Sequence, residues 1–131
     1  MLEALLPNGT DVYVALLTTI PTAIDGTGIV EAAGSGYARK AHNAWTTVAL
    51  PSGYTNGVAV ANNGAVTFDA VSDALTGLVG WAVYDADTAG NLLAFGAILD
   101  VGGSETEIDL ALGDQFQFAS GTLIVGVAEL S

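Results

Sequence analysis

His42 is the only histidine in a chain of 131 residues, and cysteine is absent. Sites built on two imidazoles, thiolate-held zinc, disulfides and cysteine nucleophiles are therefore excluded together. The missing cysteines leave the redox compartment open. His42 closely follows Arg39-Lys40, the only basic side chains, and reads as a satisfied or surface strand histidine rather than a general base. No serine stands in a Gly-x-Ser-x-Gly elbow, the strained turn that exposes a hydrolase nucleophile.

The acids offer little more. Asp25-Gly26-Thr27-Gly28 differs from the Asp-Thr-Gly of dimeric aspartic proteases by the inserted Gly26, and so reads as a turn. The same Gly26-x-Gly28 is no dinucleotide loop, because no helix pattern follows it. Asp85, Asp87 and Gly90 match three positions of a calcium loop, but Ala89 and Gly96 stand where ligands five and twelve belong. Without that last bidentate carboxylate, a polar hairpin tip is the better reading. Glu105, Glu107 and Asp109 alternate and would share one strand face, where like charges repel unless solvated. Carboxylates spaced for glycoside hydrolysis are brought together in three dimensions, and the sequence singles out no such pair. Asn8-Gly9-Thr10 matches a glycosylation acceptor, a pattern with meaning only on a eukaryotic secretory route. No catalytic, cofactor-binding or metal-binding residue is assigned, and the chain is expected not to be an enzyme.

Composition points the same way. Fourteen acids against two bases give a net charge of −12, which argues against nucleic-acid phosphates and anionic membranes as partners. Hydrophobic residues make up 51% and charged residues 12%, too apolar for disorder and too poor in charge for a coiled coil. A mean hydropathy of +0.54 calls for either an unusually complete core or surface covered by partners, and covered surface is the expectation. The segment 41–68 is uncharged but interrupted throughout by Asn, Thr, Ser, Gly and Pro, so no membrane span is expected. The N-terminus lacks the basic region of a signal peptide.

The elements that must carry these residues are short strands. Val12-Tyr13-Val14-Ala15-Leu16-Leu17 is a β-branched and aromatic run that predicts a strand buried on both faces and stopped at Pro21. Residues 22–36 read as a long loop with Ile29-Val30 paired in its middle. Strands are expected over 37–43, 45–50, 65–68 and 78–84, the last joined to 91–98 by the hairpin loop 85–90. Ile108, Leu110 and Leu112 alternate with polar or small residues, as do Phe116 and Phe118 with Gln115 and Gln117. Residues 121–127 close the series. Eight or nine strands with frequent turns predict an all-β fold: an antiparallel, jelly-roll-like β-sandwich in one domain, 1–131. Residues 2–6 predict a short helical turn within an N-terminal arm, 1–10.

An ordered set of segments resembles a known family. They are Tyr13-Val14-Ala15-Leu16-Leu17-Thr18-Thr19 with Pro21-Thr22, Gly36-Tyr37-Ala38-Arg39, and Asn63-Gly64-Ala65-Val66-Thr67-Phe68. Trp81-Ala82-Val83-Tyr84-Asp85-Ala86, Gly90-Asn91-Leu92-Leu93, Gly113-Asp114-Gln115-Phe116-Gln117-Phe118 and Gly121-Thr122-Leu123 complete it. The set resembles small virion proteins of tailed bacteriophages, often labelled tail-fibre or minor structural proteins. Some similar proteins sit on the capsid exterior as cement or decoration. The resemblance runs from about residue 2 to 127, with 43–62 matching no motif.

The resemblance implies a bacteriophage virion structural protein made in the host cytoplasm. A capsid cement or decoration protein on the outer capsid surface is the first expectation, contacting the major capsid protein and further copies of itself, with a homotrimer favoured. A tail-fibre or baseplate component binding the host surface is the alternative, for which Trp45 or Tyr54 would serve as loop-tip aromatics. Arg39, the sole guanidinium, is expected in a buried or interfacial ion pair.

Overall fold

The computed structural model describes residues 9–22, 26–49, 54–99 and 104–130, and among these every regular element is a strand. The expected N-terminal helical turn and Asp25 lie outside the described residues. In chain order the strands are β1 (Val12–Thr19), β2 (Val30–Glu31), β3 (Lys40–His42), β4 (Trp45–Val48), β5 (Tyr54–Asn62) and β6 (Val66–Thr67). The second half holds β7 (Leu75–Leu78), β8 (Gly80–Tyr84), β9 (Leu92–Ala97), β10 (Ile108–Leu110), β11 (Gln117–Phe118) and β12 (Ile124–Leu130).

All pairings are antiparallel. The largest sheet runs β2-β1-β8-β9, and β3 takes a second place on β1 beside β2. A three-stranded sheet runs β12-β5-β4, while β10-β7 and β11-β6 form separate pairs. Val14, Leu16, Trp81 and Val83 from the first sheet join Trp45, Val60 and Val125 from the second in one buried cluster, closed by Phe68, Phe118 and Leu123. The opposite face of the first sheet carries a smaller cluster, Ala15, Leu17, Ala82 and Tyr84, covered by Ile29, Leu92 and Phe95. So β1 is buried on both faces, as its unbroken apolar run requires. The architecture is all-β, antiparallel and consistent with a β-sandwich.

Three departures from the expected strands stand out. The expected strand 78–84 is split at Val79, whose N–H donates to Leu17 and whose carbonyl accepts from Ile98. That peptide serves both neighbouring strands and cannot keep a regular ladder. β5 was not among the expected strands, yet its ladder with β12 runs the length of the sheet with one irregularity. Leu112, expected inside, is 71% exposed. The Asp114 carboxylate accepts from the Ala111 N–H (2.9 Å) while its own N–H closes a turn onto the Ala111 carbonyl, and this lifts Leu112 out at the tip.

Asn62 is the one buried polar residue among those described, 1% exposed. Its Nδ2 donates to the carbonyls of Gly64 (2.8 Å), Ala119 (3.1 Å) and Phe118 (3.3 Å), and its Oδ1 accepts from the Leu123 N–H (2.9 Å). The side chain thus stands in for a peptide group where β5 ends and the chain enters β12. Asn62→Ala leaves those backbone groups buried without this partner. The expected loss is about 2–4 kcal/mol of stability in urea unfolding; a loss below about 1 kcal/mol would show that water replaces the amide there.

Candidate functional site

β2 and β3 lie end to end along one edge of β1, with Leu17 opposite Glu31 and Val14 opposite Lys40. Between them the chain leaves the sheet over residues 32–39. Gly34, Ser35 and Gly36 all take positive φ there, which reverses the chain quickly and which Ser35 tolerates at some cost. The Ser35 hydroxyl donates to Ala74 (2.8 Å) and its carbonyl accepts from Ser72 (2.8 Å), so the excursion is tied down at its far end.

Its neck is closed by charge. Arg39 Nη2 meets Glu31 Oε1 at 2.8 Å and Nε donates to Oε2 at 3.0 Å, the parallel two-bond geometry that favours arginine over lysine. Tyr37 donates its hydroxyl to the same Oε2 at 2.7 Å and accepts from the Leu16 N–H at 3.0 Å. The excursion would otherwise leave that amide without its strand partner; the phenol takes the place of the missing carbonyl. The remaining guanidinium nitrogen, Nη1, donates to the carbonyls of Ala86 (2.9 Å) and Ala89 (2.8 Å) in the β8–β9 turn. The guanidinium lies 3.8 Å above the centre of the Tyr84 ring, a cation–π contact. The Arg39 side chain is 7% exposed and that of Glu31 26%.

Electrostatics follow from this packing. Burial by itself would raise the Glu31 carboxyl, but the Arg39 and Tyr37 hydrogen bonds and the Arg39 charge outweigh it and hold the group below its ordinary value. Burial, then donation to Glu31, pushes the Tyr37 phenol far above its usual range. Glu31 keeps Arg39 firmly protonated against its partial burial. These bonds all lie within the chain, so the cluster locks β2, the excursion and the β8–β9 turn together. Of the two sites expected for Arg39, a buried ion pair or an interfacial one, the structure shows the buried pair. Tyr37 stands with Arg39 in the Gly36-Tyr37-Ala38-Arg39 segment, while Glu31 carried no motif of its own. The signal for Glu31 was the lone arginine itself, which needed an acid on the segment paired nearby.

The other singled-out residues are placed as structure. His42 Nε2 donates to Ala44 at 2.6 Å, and its ring meets Trp45 edge-on at 5.1 Å. Trp45 is buried, so it is no loop-tip aromatic; the Tyr54 side chain lies outside the described residues. Asp85 caps the β8–β9 turn, accepting from the Asn91 backbone (2.7 Å) and side chain (2.8 Å), bonds that hold its carboxyl below the ordinary value. A Cβ at Gly90 would fall 2.5 Å from Asp85 Oδ1, so the glycine leaves room for the cap. Glu105, Glu107 and Asp109 are all exposed, and Asp109 accepts from the Gly77 N–H at 2.8 Å. Lys40 reaches Asp69 at 3.5 Å on the surface, a contact of little energetic weight.

Arg39→Ala strands Glu31 beside Tyr37 and frees the β8–β9 turn; the expected cost is about 3–5 kcal/mol in chemical unfolding. Glu31→Gln with Arg39→Met removes both charges and should recover most of that loss. The pH dependence has a definite sign. Glu31 is lower in the folded state, so its contribution is full above the ordinary carboxylate range and vanishes as pH falls through its folded value. Glu31→Gln should therefore flatten the acid side of the stability profile; an unchanged acid limb would remove Glu31 from the account.

No curated protein matches the chain. A family model does, described as podophage GP4 fiber I protein gp80, over residues 3–126. That span takes in the excursion, the first sheet, and the second sheet as far as the opening residues of β12, and supports a virion-associated structural role. The chain belongs to this family of phage virion proteins, that of the podophage GP4 fiber I protein gp80.

Proposed function

We propose that the protein is a non-enzymatic structural subunit of a phage fibre, a jelly-roll-like β-sandwich body with residues 1–10 as an arm toward neighbouring subunits. The observation that carries this reading is the match over residues 3–126 to a family described as a fibre protein. It favours the tail-side alternative over the outer-capsid cement role that the sequence put first. The chemistry of the side chains supports a structural part. Glu31 is taken up by Arg39 and Tyr37, Asp85 by Asn91, Asp109 by Gly77 and Asp114 by Ala111. These carboxylates hold the chain's own side chains and backbone in place. A body of net charge −12 also belongs outside the shell, away from packaged nucleic acid.

Gold labelling of the tagged protein on intact virions tests the location. Label along tail fibres is the expected result. Label over the capsid faces would transfer the protein to the cement role with the major capsid protein as its partner, and unlabelled infectious particles would overturn a virion role altogether. Raising salt should not strip the protein from particles, because salt screens the repulsion between acidic subunits. Release on going from low to high salt would instead point to ion-paired docking.

A further inference from the structure

β9, Leu92-Leu93-Ala94-Phe95-Gly96-Ala97, ends the largest sheet; among the described residues it pairs only with β8. Edge strands of soluble proteins are normally blunted by lysine, proline or charge. This one carries none, and all six residues are half-buried. A single irregularity near Leu93 leaves 94–97 in regular pairing.

The direction of the free backbone groups follows from the sheet. Leu16 turns its N–H and carbonyl toward Tyr37 and Ala32, so Ala15 and Leu17 face β8. Their partners Ala82 and Gly80 therefore bond to β1, and Trp81 and Val83 bond to β9. Gly96 and Ala94 are their partners. The Ile98 N–H bonding to Val79 continues the same alternation. Phe95 and Ala97 are left with N–H and carbonyl groups aimed off the edge of the sheet.

We infer that β9 is a self-pairing edge, on which a second copy of this chain adds its own β9 antiparallel about a two-fold axis at Gly96. This goes beyond the fibre reading and holds wherever the protein sits in the virion. In that register Phe95 of one copy faces Ala97 of the other, and their outward groups form reciprocal hydrogen bonds. The side chains match as well: both residues lie on the outer face of the sheet, the large ring against the small methyl. Gly96 meets Gly96 at the close, non-bonded position, where no Cβ intervenes. On the inner face that position is already filled by Trp81, whose indole a Gly96 Cβ would meet at 2.7 Å. The self-complementary register selects the second copy as occupant, and the absence of charge on β9 permits it. A subunit of net charge −12 approaches another with least repulsion along an uncharged strand, and the contact needs no basic partner surface. A two-fold contact does not by itself build the trimer favoured from sequence.

Sedimentation and amide exchange on the full chain test this. The expected result is a dimer that tightens as salt rises, with Phe95 and Ala97 amides protected at high protein concentration and exchanging on dilution. The Ala94 and Gly96 amides, bonded to β8, stay protected throughout. Ala97→Pro removes an outward N–H that the protomer does not use and should weaken the dimer at least about tenfold. Ala97→Lys, which keeps the backbone intact and places a charge at the contact, should do the same and stands as the measure if the proline variant does not fold. A monomer at all concentrations, an oligomer in which Phe95 and Ala97 exchange regardless of concentration, or a dimer unchanged by both substitutions overturns the inference.

Discussion

An amide buried in a sheet must have a partner, and the chain interrupts the strand that would supply one. Where β2 stops and β3 has not begun, Leu16 faces the excursion 32–39. Tyr37 answers with its hydroxyl, and that hydroxyl is fixed because its proton goes to Glu31. Glu31 in turn is held charged by Arg39. Each link makes sense only with the next, since an unpaired carboxylate beside a buried phenol would cost more than the excursion could return. The order of dependence runs from a gap in a ladder to a buried ion pair.

Arg39 extends that closure across the sheet. Its Nη1 bonds fasten Ala86 and Ala89, and Ala89 takes φ +51, a left-handed conformation costing a non-glycine residue about 1–2 kcal/mol. Asp85 holds the same turn from the other side through Asn91. A turn so fastened fixes where β9 starts and how it lies against β8. The ion pair near one edge of the sheet thereby steadies the opposite edge, with β1 and β8 between them as a rigid body buried on both faces.

The sequence was legible where one physical signal dominated. The run at 12–17, the stop at Pro21, the 85–90 hairpin and the alternation of Phe116 and Phe118 with glutamines all appear in the structure, because periodicity and turn chemistry agree there. β5 was hidden: Asn56-Gly57 carries a turn signal, and its role in a strand comes from pairing with β12, distant in sequence. Leu112 misled for the opposite reason, since alternation predicted burial while the Asp114 side chain imposed a turn. The polar cluster was half legible. A lone arginine announced a pair, but its partner depended on β2 and β3 sharing one edge of β1, which no local pattern encodes.

Spending the only guanidinium inside has a consequence for the outside. Lys40 is then the sole basic side chain left to the surface, and it already leans toward Asp69. Copies of this chain cannot hold one another by ion pairs, for almost every charge they present is negative. Screening over about 8 Å at physiological ionic strength reduces that repulsion without turning it into attraction. Cohesion must come from backbone hydrogen bonds and apolar area, which salt does not weaken. An acidic virion part with a charge-free strand edge is therefore coherent as physics: negative charge opposes contact over most of the surface, and the proposed pairing along β9 would place no charge against another.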